Sequence, residues 1–133
     1  MLDTALAALR YRDLSTRELD GRLRAKGFEE VARTQALDAL ERTGLVDDAR
    51  FALARARALA ARGLGDAGIR HVLLRAGVAR ELIPEALEAI DPEHERARTI
   101  VARRGPGPKT ARYLLGKGFS NDVVASVVAA DDE

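Results

Sequence analysis

The sequence predicts an all-α protein: about nine short helices forming three tandem three-helix modules in an elongated array. Three observations carry this. Apolar residues recur at helical intervals, as the valines at 123, 124, 127 and 128 do, and no segment reads as a credible strand. Capping residues and glycines punctuate the chain at short, regular distances. A leucine-glycine pattern also occurs three times, at spacings expected of a repeat array. With 47% hydrophobic residues the 133-residue chain can bury a core, which excludes wholesale disorder, and its 4% of aromatics argues against a strand-rich class.

The elements follow in order. A first helix is expected over 3–11. Leu14-Ser15-Thr16-Arg17-Glu18-Leu19 then combines a capping box, Ser15 with Glu18, and a hydrophobic staple joining Leu14 to Leu19, so a helix should run over 16–26 and stop at Gly27. The next, 29–43, ends at Gly44. Val46 and Phe51 repeat the staple logic around Asp47 as the cap, with Asp48 beside it as a partner for the helix dipole, and open a helix over 48–62 that stops at Gly63. Helices over 66–76 and 80–90 flank Gly77. Asp91-Pro92-Glu93 places a cap, a proline and an acid at the start of a helix over 93–103. Gly107-Pro108 opens 108–117, Gly118 closes it, and Ser120 opens 121–130.

Aligning Gly27-Phe28, Gly77-Val78 and Gly118-Phe119 exposes the repeat. The residue four before each glycine is Leu23, Leu73 and Leu114. After the second glycine, Leu82, Ile83, Ala86 and Leu87 stand at the offsets that Val123, Val124, Val127 and Val128 occupy after the third; the first copy keeps Ala36 and Leu37, with Val31 one place early. Each copy reads as a helix, a glycine turn and an apolar-faced second helix, with a preceding helix completing the unit. The expected modules are 1–44, 45–91 and 92–133. Three units, each roughly 20–25 Å across, would give a rod about 60–75 Å long, since a ten-residue helix spans about 15 Å.

Net charge is +1, yet the charge is segregated. Segment 10–26 sums to +3, 29–49 to −4, 50–80 to +6, 81–95 to −6, 96–117 to +7 and 118–133 to −4. Of the 22 basic residues three are lysine and the rest arginine, the side chain suited to bidentate contact with carboxylate or phosphate. The absence of cysteine removes disulfides, a thiol nucleophile and thiolate metal sites, and His71 and His94 lack metal-ligand spacing. No cofactor, metal or catalytic set can be assembled, so an enzyme is not expected. No signal segment or membrane span is legible, and a cytoplasmic protein without membrane association is the expectation.

Several runs together carry a resemblance. They are Ser15-Thr16-Arg17-Glu18-Leu19 with Arg22-Leu23 and Lys26-Gly27-Phe28; Gly44-Leu45-Val46-Asp47-Asp48-Ala49-Arg50-Phe51-Ala52; Ile69 to Leu73 with Gly77-Val78; and Gly118-Phe119-Ser120-Asn121-Asp122-Val123. In order and spacing they closely resemble the bacterial regulatory protein RecX family, over nearly the whole chain. Departures are small: Val78 where isoleucine is commoner, Val31 displaced in the first module, and no N-terminal extension of the kind many members carry. The resemblance implies helix-turn-helix-like modules and a non-catalytic modulator of the RecA recombinase. Such proteins bind the RecA–single-stranded DNA filament along its helical groove and suppress ATP hydrolysis, strand exchange and the co-protease role in the SOS response to DNA damage. Many also bind DNA weakly by themselves, single-stranded or double-stranded.

From the residues themselves, two basic stripes are the candidate surface for filament acids or DNA phosphate. One comprises Arg50, Arg55, Arg57, Arg62, Arg70 and Arg75; the other comprises Arg103, Arg104, Lys109, Arg112 and Lys117, with Arg96 and Arg98 in the same segment. The alternative function is a stand-alone helical DNA-binding protein using the same arginines on phosphate. Among the aromatics, Phe28, Phe51 and Phe119 sit at turn and staple positions and are expected in the core. Tyr11 and Tyr113 are candidates for base stacking. Gly105-Pro106-Gly107-Pro108-Lys109-Thr110 lacks the glycine directly before lysine and the strand of a phosphate-binding loop, and reads as a linker between modules; the alternative is a helix-hairpin-helix DNA motif, Gly-x-Gly-x-x-x-Ala at Gly105, Gly107 and Ala111, whose backbone amides could hold a phosphate. Mixed surface charge and short helices suggest a monomer.

Overall fold

The computed structural model describes residues 1–129, without the side chain of Tyr11. Ala130, Asp131, Asp132 and Glu133 lie outside the described residues, and with them the end of the helix expected over 121–130. The helices are α1 (Leu2–Tyr11), α2 (Thr16–Ala25), α3 (Glu30–Arg42), α4 (Asp48–Ala61), α5 (Asp66–Arg75), α6 (Ile83–Glu88), α7 (Glu93–Arg104), α8 (Pro108–Gly116) and α9 (Asn121–Ala129). No strand occurs among the described residues.

The starts form as their residues dictate. Ser15 accepts from the Glu18 N–H at 3.0 Å while Glu18 accepts from the Ser15 N–H at 3.2 Å, the reciprocal capping box. Asp47 caps α4 by accepting from the Arg50 N–H at 3.1 Å. The expected helix over 80–90 is split, however. Arg80–Leu82 forms a 3₁₀ turn in which the Leu82 N–H reaches Ala79 O, and α6 begins only at Ile83. Pro84 has no N–H to give to the carbonyl four residues back, so an α-helical first turn there lacks its bond.

Three hydrophobic clusters form, one per trio of helices. The first holds Ala5, Leu14, Leu19, Leu23, Leu37, Leu40 and Val46. Phe51, Ala56, Ile69, Leu73, Val78 and Ile83 lie in the second, and Ala97, Val101, Leu114, Phe119, Val124 and Val127 in the third. The extensive helix-helix packing lies within trios. Val46 and Phe51 therefore do not meet in one staple: Val46 joins the first cluster and Phe51 the second. The Gly105–Gly107 segment is likewise no linker between modules, because α7 and α8 share the third cluster and the turn joins two helices of one trio. Accessible surface is 8343 Å², against roughly 6,800 Å² for a compact monomer of this mass. Stacking small units end to end exposes that excess.

Candidate functional site

The trios meet at two joints, and the charged residues must be read against them. At the first, the Thr16 N–H donates to Asp48 at 2.8 Å and Ser15 Oγ donates to Ala76 O at 2.5 Å. At the second, the Gly65 and Ala67 N–H groups donate to Lys117 O and Gly118 O at 2.9 and 3.1 Å, and Glu93 accepts from the Asp66 N–H at 2.6 Å. Arg96 locks this joint. Its guanidinium donates to Leu64 O at 3.0 Å and pairs with Asp66, and its Nε donates to Asp91 O.

Beside the second joint lies an open cleft of about 730 Å³. The C-terminal half of α4 brings Arg57, the cap residue after it is Arg62, the last turn of α7 brings Arg103 and Arg104, and α8 contributes Tyr113. The Arg104 guanidinium carbon sits 3.7 Å from the centre of the Tyr113 ring, and Lys117 Nζ lies 5.7 Å from it. Cations in a helix's last turn complement its dipole, which accounts for Arg103 and Arg104 singly. The dipole does not require them to converge with Arg57 and Arg62 from a different module. Among the described residues no ion pair engages any of these four arginines. Asp91 and Glu95 stand among the residues lining the cleft, which nonetheless keeps a cationic excess. A smaller cleft at the first joint, about 460 Å³, is lined by Asp20, Glu30, Glu41 and Asp48 against Arg17 and Arg33. One joint presents a cationic recess and the other an acid-rich one.

The two stripes read from the sequence therefore divide. Arg57, Arg62, Arg103 and Arg104 come together, with Lys117 approaching the Tyr113 ring. Arg50 holds the end of α3, donating to Gly44 O and Leu45 O at 2.9 and 3.2 Å, and approaches Asp13 at 3.6 Å. Arg55 lies over the Phe51 ring and reaches Glu18 across the first joint at 4.0 Å. Arg70 and Arg75 on α5, and Lys109 and Arg112 on α8, are exposed outside the cleft. Phe51 and Phe119 are buried and Phe28 packs half-buried against the first cluster, as core residues. His94 contacts Ser126 and Arg98, and no group of three or more metal-ligating side chains occurs among the described residues. Among the described residues no helix is long and apolar enough to cross a membrane.

The sequence reading missed the joint acceptors Asp48 and Glu93 in their bridging role. A signal existed: each is the first residue of its module's first helix.

Comparison with known proteins agrees with this architecture. Residues 47–87 match the family model described as RecX, second three-helix domain. The chain is 37% identical over 136 residues to the regulatory protein RecX of Chromohalobacter salexigens, covering 96% of this chain and 90% of the relative. It is 34% identical to the regulatory protein RecX of Halorhodospira halophila, covering 98% and 88%. Among solved structures, the crystal structure of RecX from Lactobacillus salivarius superposes with a TM-score of 0.85 at 22% identity, covering 98% of this chain and 94% of that one.

Proposed function

The chain belongs to the RecX family, and on that premise we propose that it is a non-catalytic regulator of DNA repair and recombination that binds the RecA–single-stranded DNA filament in its groove. Bound there, in the cytoplasm, it inhibits the recombinase's strand exchange, ATP hydrolysis and co-protease activity. The observation that carries the reading is the convergence of Arg57, Arg62, Arg103 and Arg104 on one cleft between two modules. A guanidinium cluster meets acidic side chains or DNA phosphate, the two anions such a groove can present, in bidentate fashion. The extended body supports simultaneous contact with several protomers, which turns weak sites into one strong one.

The test is co-sedimentation with RecA–single-stranded DNA filaments, comparing the wild type with Arg62→Glu/Arg103→Glu. Both side chains are exposed, so the fold should persist. Filament affinity should fall by roughly tenfold or more. Unchanged binding would show that the cleft does not contact the filament.

A second reading, a stand-alone DNA-binding protein, is favoured by Tyr113 with Arg104 stacked on its ring, a platform on which a base could stack. It predicts binding to naked DNA that weakens steeply with salt and needs no recombinase.

A further inference from the structure

The two joints are copies of one another, and the copying leaves one docking surface uncovered. Aligned on Leu23, Leu73 and Leu114, the residues eight places earlier are Ser15, Gly65 and Pro106. Ser15 and Gly65 both donate to the residue preceding the next module's glycine, Ala76 and Lys117. One place on, the N–H groups of Thr16 and Asp66 both donate to the first residue of the next module's first helix, Asp48 and Glu93. The rule is constant: the first turn of a module's second helix seats on the glycine turn of the module that follows.

The first module carries the same glycine turn. Gly27 has φ 91°, beside 90° at Gly77 and 91° at Gly118, and the Phe28 N–H reaches Leu23 O as Val78 and Phe119 reach Leu73 and Leu114. Nothing covers it. A Cβ built on Gly27 meets no atom within 4 Å, whereas one on Gly77 would overlap the Arg17 side chain and one on Gly118 would overlap the backbone of Gly68. Val78 and Phe119 are each 3% exposed, while Phe28 is half-buried. Where the covered modules place the acids Glu81 and Asp122, this one places Val31, an apolar side chain left 69% exposed.

We propose that Lys26-Gly27-Phe28, with Val31, is a docking surface for the first turn of a helix on a different protein. On the function proposed above, on which this rests, that helix belongs to the recombinase protomer of the filament. The occupant's chemistry is set by the two internal examples: a small or hydroxyl-bearing residue at the helix start and unpaired first-turn N–H groups. A second copy of this chain does not supply it. Its leftover start is that of α8, where Pro106 and Pro108 replace Gly65 and Ala67, the two residues whose N–H groups bond the next turn at the second joint. Proline has no N–H, so the start of α8 cannot make these bonds. The positive end of the docked helix would face the carbonyls closing α2, an attraction between dipoles. Contact through backbone and apolar groups should also be far less salt-sensitive than contact through the arginine cleft.

Two variants test this. Gly27→Asn places a side chain where the partner backbone must approach; asparagine tolerates positive φ and the space is open in the free chain. Val31→Gln replaces the exposed apolar side chain with an uncharged polar one, removing the apolar contact without adding charge. Affinity for RecA–single-stranded DNA filaments is measured at low and high salt, with naked single-stranded DNA, thermal melting and sedimentation in parallel. Each variant should weaken filament binding by roughly tenfold at both salts, with naked-DNA binding and melting near wild type. Wild-type filament affinity in both variants would overturn the docking assignment and leave the proposed function intact. A wild type that ignores filaments would overturn both. A wild-type oligomer that Gly27→Asn returns to monomer would assign the turn to a second copy and overturn the choice of partner. Should Gly27→Asn fold poorly, Val31→Gln, at an exposed position, still decides.

Discussion

Ser15 shows how much one residue can hold. It caps α2, completes a box with Glu18, and through its hydroxyl ties the first module to Ala76 O. We expect Ser15→Ala to cost about 1–2 kcal/mol in urea unfolding, the upper range for a cap, because a joint bond goes with it. Gly118→Ala should cost more, at least about 2 kcal/mol, since positive φ and overlap with Gly68 add together. The cap and the glycine were both legible in sequence, the first from Ser-x-x-Glu and the second from its place after Leu114. Their partners across the joints were not. Ala76 O and the Gly68 backbone are contacts between residues 61 and 50 positions away, and no local pattern encodes them. Arg50 is the converse case: its type suggested an anion site, and the nearby carbonyls of Gly44 and Leu45 took it instead.

Among the elements, those whose ends carry side-chain caps or glycines matched their expected spans closely. The one that split did so at Pro84, where a missing donor converts the first turn to 3₁₀. The expected Val46–Phe51 staple failed because the two side chains face different cores. The first turn of α7 has a role that periodicity cannot reveal. Glu93 accepts from the Asp66 N–H at 2.6 Å and from the Ser120 N–H at 3.4 Å, so one carboxylate ties α7 to the starts of both α5 and α9. Glu93→Ala should cost about 1–3 kcal/mol by leaving those donors unpaired, and hydrogen exchange should show the loss concentrated in α5 and α7–α9. Uniform loss across α1 to α9 would contradict that assignment.

For the whole molecule, repetition decides both shape and function. Three small cores in series, bounded as we propose near Gly44 and Asp91, give an extended body. Small-angle scattering should return a radius of gyration of about 17 Å or more, where a compact chain of this length would give about 14 Å. The repeat was legible because leucine and glycine recur at fixed offsets. Which arginines converge was not, because that depends on how one module rotates on the next, and the rotation is set by Gly65, Gly68 and Gly118 packing backbone on backbone. The most direct test of a filament regulator is single-stranded-DNA-dependent ATP hydrolysis by RecA while this protein is titrated, with a naked-DNA binding control. Inhibition is expected well below one molecule per recombinase protomer, at concentrations where naked DNA stays unbound. Undiminished hydrolysis alongside tight, salt-sensitive DNA binding would contradict it.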